Sequence, residues 1–97
     1  MIIRIVMMTF RPEEVDAFLK LFEERKELIR GFEGCRHLEL WQDTNGNNVY
    51  FTYSHWDSEE ALNKYRFSEL FKDTWVKTKA LFAGKPQAWS ANQVMVV

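Results

Sequence analysis

Two histidines, one cysteine and a short aromatic–acidic octapeptide are where this chain's chemistry would be sought first. Histidine titrates near neutrality, which makes His37 and His55 candidate general bases. His55 stands beside Trp56 in HWDSEEAL, residues 55 to 62, where an apolar run meets a helix-start signal with no loop between. Both residues are then at the edge of an active site, or only where a strand turns a corner. On a regular strand their side chains point to opposite faces, which argues against joint action. As metal ligands the histidines form a weak set, because a site takes three or four ligands and neither H-x-H nor H-x₃-H spacing occurs. Cys35 has only Arg36 as a basic neighbour in sequence, which fits an inert thiol. No glycine-rich phosphate loop appears, so a nucleotide cofactor has no support.

The frame for these residues is one small domain, residues 1–97, of which 46% are hydrophobic and 15% aromatic. A chain this short buries only about 60–65% of the surface its unfolded form exposes, so where the apolar surplus goes is a real question. A net charge of −1 and a pI near 6.1 leave no electrostatic footprint for nucleic acid or an anionic membrane. One cysteine excludes an intrachain disulfide and a cysteine-rich zinc site. Arg4 interrupts the apolar start MIIRIVMM, no cleavage-site pattern follows, and no run approaches the roughly 18 apolar residues of a membrane span. The expectation is a soluble, cytoplasmic protein.

Periodicity predicts four strands and two helical regions. Residues 2–10 are apolar and rich in β-branched types, a first strand. Pro12 opens a helix with Glu13, Glu14 and Asp16 near its positive end, and Gly31 is expected to close it in a left-handed cap. Leu38 and Leu40 alternate with His37, Glu39 and Trp41 in a second strand. The turn sequence NGNN, residues 45–48, implies a hairpin into a third strand over residues 49–56. Asp57 and Glu60 have the spacing of a capping box, with Trp56 as a hydrophobic staple. Ser68 is expected to cap a second, longer helix at a kink in YRFS, and AWSANQVMVV reads as a fourth strand. The order β-α-β-β-α-β is that of a ferredoxin-like α+β fold with an antiparallel sheet. Strands one and three are apolar on both sides, and two helices can cover one face only. A second copy of the same sheet is the simplest cover, so a homodimer is expected.

The segments FEGCRHLEL and VYFTYSHWDSEEALNKYRFSELF, then a long helix and a terminal strand, resemble the antibiotic biosynthesis monooxygenase domain family. The most specific parts are the G-C entry to strand two, W-x-S-x-E-A-L from Trp56 to Leu62, and S-x-x-F from Ser68 to Phe71. The resemblance implies a dimeric α/β barrel built from two ferredoxin-like domains. It also brings several chemistries, since one branch oxidises quinols or polyketide-like phenols without cofactor and another degrades haem. The haem branch requires an asparagine on strand one and a histidine on the last helix. Here those regions offer Val6 to Met8 and about Trp75, and no histidine follows residue 55. In the polyketide branch the tryptophan matches Trp56, while Thr52 replaces an asparagine. Quinol-type members carry a histidine where this chain has Tyr65 and a glutamate where it has Ser54.

An enzyme of that kind needs a water-excluding pocket, donors for an oxyanion and a base, with no metal or flavin. The resemblance implies a helix–sheet pocket lined by Met8, Phe22, Thr52, Trp56, Tyr65, Phe71 and Trp75. Tyr65 or the Trp56 indole would donate to the oxyanion, and His55 or His37 would be the base. Two functions are expected from this set. One is a cofactor-independent monooxygenase acting on aromatic quinol- or phenol-type small molecules. The other is a non-catalytic dimer that binds haem or an aromatic ligand.

Overall fold

Strand alternation sorts the chain into one four-stranded antiparallel sheet in the order β2-β3-β1-β4. The computed structural model describes residues 1–97, with β1 at Ile2–Thr9, α1 at Val15–Arg30, β2 at Cys35–Gln42 and β3 at Val49–Trp56. Two further helices, α2 at Glu59–Arg66 and α3 at Glu69–Lys79, lead to β4 at Gln87–Asn92. This is the expected ferredoxin-like α+β architecture, with the helices on one face of the sheet. No helix is long and apolar enough to cross a membrane.

The helix-side residues of β1 and β3 explain why the core is split. Met8, Phe10, Phe18 and Tyr50 form one buried cluster, and Cys35, Trp56 and Leu62 form another. Tyr50 and Trp56 lie at opposite ends of β3. Between them on the same face come Thr52 and Ser54, too small to bridge the gap. Across the ladder, Val6 and Arg4 oppose these two residues. Phe10 and Trp56 are essentially inaccessible to water, and Phe10 stacks on Phe18 with ring centroids 4.1 Å apart.

Several local expectations need correction. Gly31 ends α1 in a right-handed conformation, φ −82°. The left-handed residue is Gly34, φ +89°, in the turn before β2. There a β-carbon would stand 2.5 Å from Cβ of Ala61, so glycine is required by conformation and by space. Asp57 does not cap α2. Arg36 holds its carboxylate bidentately, with both N···O distances 2.7 Å. Ser58 caps instead, its Oγ accepting from the Ala61 N–H at 3.1 Å. Ser68 does cap α3, accepting from the Phe71 N–H at 3.1 Å and donating to the Tyr65 carbonyl at 2.6 Å. One hydroxyl thus serves the end of one helix and the start of the next.

The β2–β3 hairpin is present, but no residue of its 43–48 connection takes a positive φ. A two-residue primed turn is therefore absent. The connection is held by Asp43, whose Oδ2 accepts from the Asn45 N–H at 3.1 Å. β4 stops at Asn92, opposite Ile2, because the pairing partners on β1 run out there. Val94 to Val97 lie exposed beyond the ladder.

Gly34→Ala is expected to lower the unfolding free energy by about 2–4 kcal/mol, from left-handed strain and overlap with Ala61. At Gly84 an added methyl meets nothing within 4 Å, so Gly84→Ala should stay within about 0.5 kcal/mol of wild type. Urea denaturation of the two variants side by side checks the contrast.

Candidate functional site

The gap between the two core clusters is a cavity of about 270 Å³ between the sheet and the helices. β1 contributes Arg4, Val6 and Met8 to its wall, and β3 contributes Thr52, Ser54 and Trp56. The register that sets Arg4 opposite Ser54 and Val6 opposite Thr52 puts these side chains in one layer. The roof is aromatic. Trp56 stacks on Tyr65 at 4.9 Å, Tyr65 meets Phe71 edge-on at 5.2 Å, and Phe71 stacks on Trp75 at 5.8 Å. The rings pack on one another along a wall and leave the volume beside them open.

Electrostatics assign the polar groups different tasks. Burial, and secondarily the nearby Cys35, push the Tyr65 phenol well above its ordinary ionisation range. Tyr65 is therefore a neutral hydrogen-bond donor at any physiological pH and no base. The Trp56 indole N–H is already spent, donating to Ser54 Oγ at 2.9 Å. That corrects the expectation that it serves an oxyanion. The donor it leaves is the Ser54 hydroxyl, whose proton is free once its oxygen has accepted from the indole. The Thr78 hydroxyl is likewise spent, donating to the Thr74 carbonyl at 2.7 Å.

Met8, Phe22, Thr52, Trp56, Tyr65, Phe71 and Trp75 all line this one cavity. His37 and His55 do not. Strand parity carries both to the opposite face of the sheet, where they oppose each other in register with rings 5.0 Å apart. There His37 contacts Glu39, Trp41 Nε1 donates to the same carboxylate at 2.8 Å, and His55 Nε2 meets the Tyr53 hydroxyl at 2.7 Å. Partial burial and then the neighbouring His37 lower the His55 pKa, while His37 and Trp41 hold Glu39 below the usual carboxylate range. Neither imidazole reaches a ligand in the cavity of its own chain. Cys35 is buried, and burial raises its thiol pKa. No three His, Cys, Asp or Glu side chains gather as a metal-ligand set.

The model of the antibiotic biosynthesis monooxygenase family matches residues 1–76, which include β1, β3, α2 and most of α3. The chain belongs to that family. Among solved structures, one described as an antibiotic biosynthesis monooxygenase is similar at 21% identity, with a TM-score of 0.91 over 98% of this chain and 100% of the other. A conserved protein from Methanosarcina mazei is similar at 20% identity and a TM-score of 0.89, covering 96% and 93%. A Mycobacterium tuberculosis protein is similar at 18% identity and a TM-score of 0.89, covering 98% and 96%. Identities this low carry the fold alone. No curated protein matches the chain.

In this family member, sequence reasoning missed Arg4 and Arg66 as cavity residues and undervalued Ser54. A signal for Arg4 was available, since it shares strand parity with Val6 and Met8 and is the one charge in IIRIVMM. Arg66 had none, because a lone basic residue in the last turn of a helix is ordinary dipole chemistry.

The Tyr65 environment fixes a pH response. A phenol in the unfolded chain ionises near pH 10, whereas the folded one holds its proton to higher pH. The unfolded state therefore loses its proton first, and stability falls as pH rises past about 10. Tyr65→Phe should remove this part of the alkaline destabilisation. In the folded protein it should leave the ultraviolet tyrosinate step between pH 9 and 11 unchanged in amplitude.

Proposed function

We propose that the cavity binds a small aromatic quinol or phenol and presents it to dioxygen, without a resident cofactor. The observation that carries this reading is the largely apolar cavity walled by Trp56, Tyr65, Phe71 and Trp75, with hydroxyl groups at Thr52, Ser54 and Tyr65. At about 270 Å³ it sits at the small end of ligand pockets, which suits a fused aromatic and not haem. The substrate ionises, and the neutral Tyr65 hydroxyl donates to its oxyanion. The electron-rich anion reduces dioxygen, the two combine at a ring carbon, and the peroxide anion takes back a proton from water to give the hydroperoxide. The hydroperoxide then loses water, so one oxygen atom enters the product and the other leaves as water.

The cavity lining holds no carboxylate or imidazole, so the substrate's proton passes to water and not to a side chain. That favours substrates whose acidity is raised by the neutral donors and the cationic side chains lining the cavity. The same observation favours a second reading, a binding protein without turnover. Oxygen uptake by the chelator-treated protein, with heat-killed protein as the autoxidation control, separates the two. Uptake above control that falls about 10–100-fold in folded Tyr65→Phe supports the oxygenase. Quenching of tryptophan fluorescence by the same compounds without uptake supports the binding protein.

The reading includes a homodimer joined through the open sheet face. That face carries Ile3, Ile5, Met7, Phe51 and Tyr53, with Trp41 and Trp89 37% and 49% exposed. A single sheet presenting so many apolar side chains to water calls for a second layer. Ile5 lies opposite both Tyr53 and Trp89, at the centre of the face. Sedimentation at micromolar concentration is expected to give a dimer for wild type and a folded monomer for Ile5→Lys. A wild-type monomer would refute the pairing.

A further inference from the structure

The cavity is apolar, yet two guanidinium groups line it and no acidic side chain does. Arg4 lies on the helix side of β1, half-buried between Ser54 and Ser90 in register, and its Nη1 donates to Ser90 Oγ at 3.0 Å. Arg66 lies in the last turn of α2, exposed at the mouth. Arg11, Arg25 and Arg36 each meet a carboxylate, at 3.7, 2.8 and 2.7 Å. Arg30 donates to the Cys35 carbonyl at 2.9 Å, and Arg4 and Arg66 likewise meet no carboxylate. Burial, and then the charge on Arg66, lower the proton affinity of Arg4. Two cations therefore stand at one cavity with no side-chain counter-charge, one half-buried and one at the solvent-exposed mouth, and an anion that entered would meet both.

A planar guanidinium donates two parallel N–H bonds to a carboxylate or phosphate, and two guanidiniums at one end of an apolar slot define a polarity for what enters. We infer that the natural ligand is an aromatic compound carrying an oxyanion, its ring held against Trp56 and Tyr65 and its anionic group held by Arg4 and Arg66. This rests on the reading that the cavity binds a small aromatic, and it adds the charge and the orientation.

Tryptophan fluorescence quenching with three probes of one ring system tests it: naphthol, hydroxynaphthoate and naphthyl phosphate. Wild type should bind the anionic probes roughly 10–100-fold more tightly than naphthol, and added salt should weaken only the anions. The tighter of the two anions identifies carboxylate or phosphate as the group recognised. Arg66→Gln should remove about tenfold of the preference, read as the ratio of anion to naphthol affinity, while Arg66→Lys keeps part of it. Arg66 is exposed, so these variants fold, and circular dichroism checks Arg4→Gln, which also loses the Ser90 bond. Equal binding of naphthol and hydroxynaphthoate by wild type overturns the anion preference and leaves the aromatic cavity standing. A preference that survives in the double Gln variant overturns the assignment of the anionic group to Arg4 and Arg66. Failure of all three probes to bind overturns the cavity reading itself, and this inference with it.

Discussion

The fold depends on a core that does not close. Apolar side chains meet at the Tyr50 end of β3 and again at its Trp56 end, and the two clusters are kept apart by small hydroxyl residues. A continuous core of this length would have needed a large apolar side chain at residue 52 or 54. Threonine and serine leave volume there, and the helices cannot collapse into it because aromatic rings prop them at both ends. Close packing is the rule in protein interiors, so a void of about 270 Å³ in a 97-residue chain forgoes contacts that would otherwise stabilise it. The cavity is that forgone packing.

Trp56 joins the two roles. It is the largest fully buried side chain, it stacks on Tyr65, and its indole N–H holds Ser54 Oγ. The staple at the strand–helix junction is therefore also a wall of the cavity. The bond to Ser54 satisfies the indole and orients the one buried serine hydroxyl. Tyr65 gains its neutrality from the same burial, because desolvation disfavours the phenolate. Structure and chemistry cannot be assigned to separate residues here.

The two faces of the sheet divide the titratable groups. Imidazoles and the Glu39 carboxylate sit on the open face, bonded to one another and to Trp41 and Tyr53. Guanidiniums, hydroxyls and one phenol line the helix side. The cavity therefore has no side-chain carboxylate or imidazole in its lining. A surface rich in tryptophan, tyrosine and histidine on the other side has the composition of an association face, not of a catalytic one.

Much of this was legible in the residues themselves. Strand parity alone separates His55 from Trp56, groups His37 with Glu39 and Trp41, and shows that strands one and three are apolar on both sides. The resemblance puts Phe71 and Trp75 in one pocket, and Ser68 announces a break between two helices. The strand and cap features are local, and alternation and capping follow from covalent geometry. What the tertiary structure decided depends on distant pairs. Asp57 left its capping role because Arg36 of the neighbouring strand took its carboxylate, and Gly34 rather than Gly31 took the left-handed conformation because Ala61 approaches it. Whether rings on a shared stripe fill a space or only wall it depends on how far two helices stand from a sheet, a sum over many contacts that no single segment encodes. The convergence of Arg4 and Arg66 on that space has the same origin: sixty-odd residues separate them, and only the register of β1 and the docking of α2 bring them to one cavity.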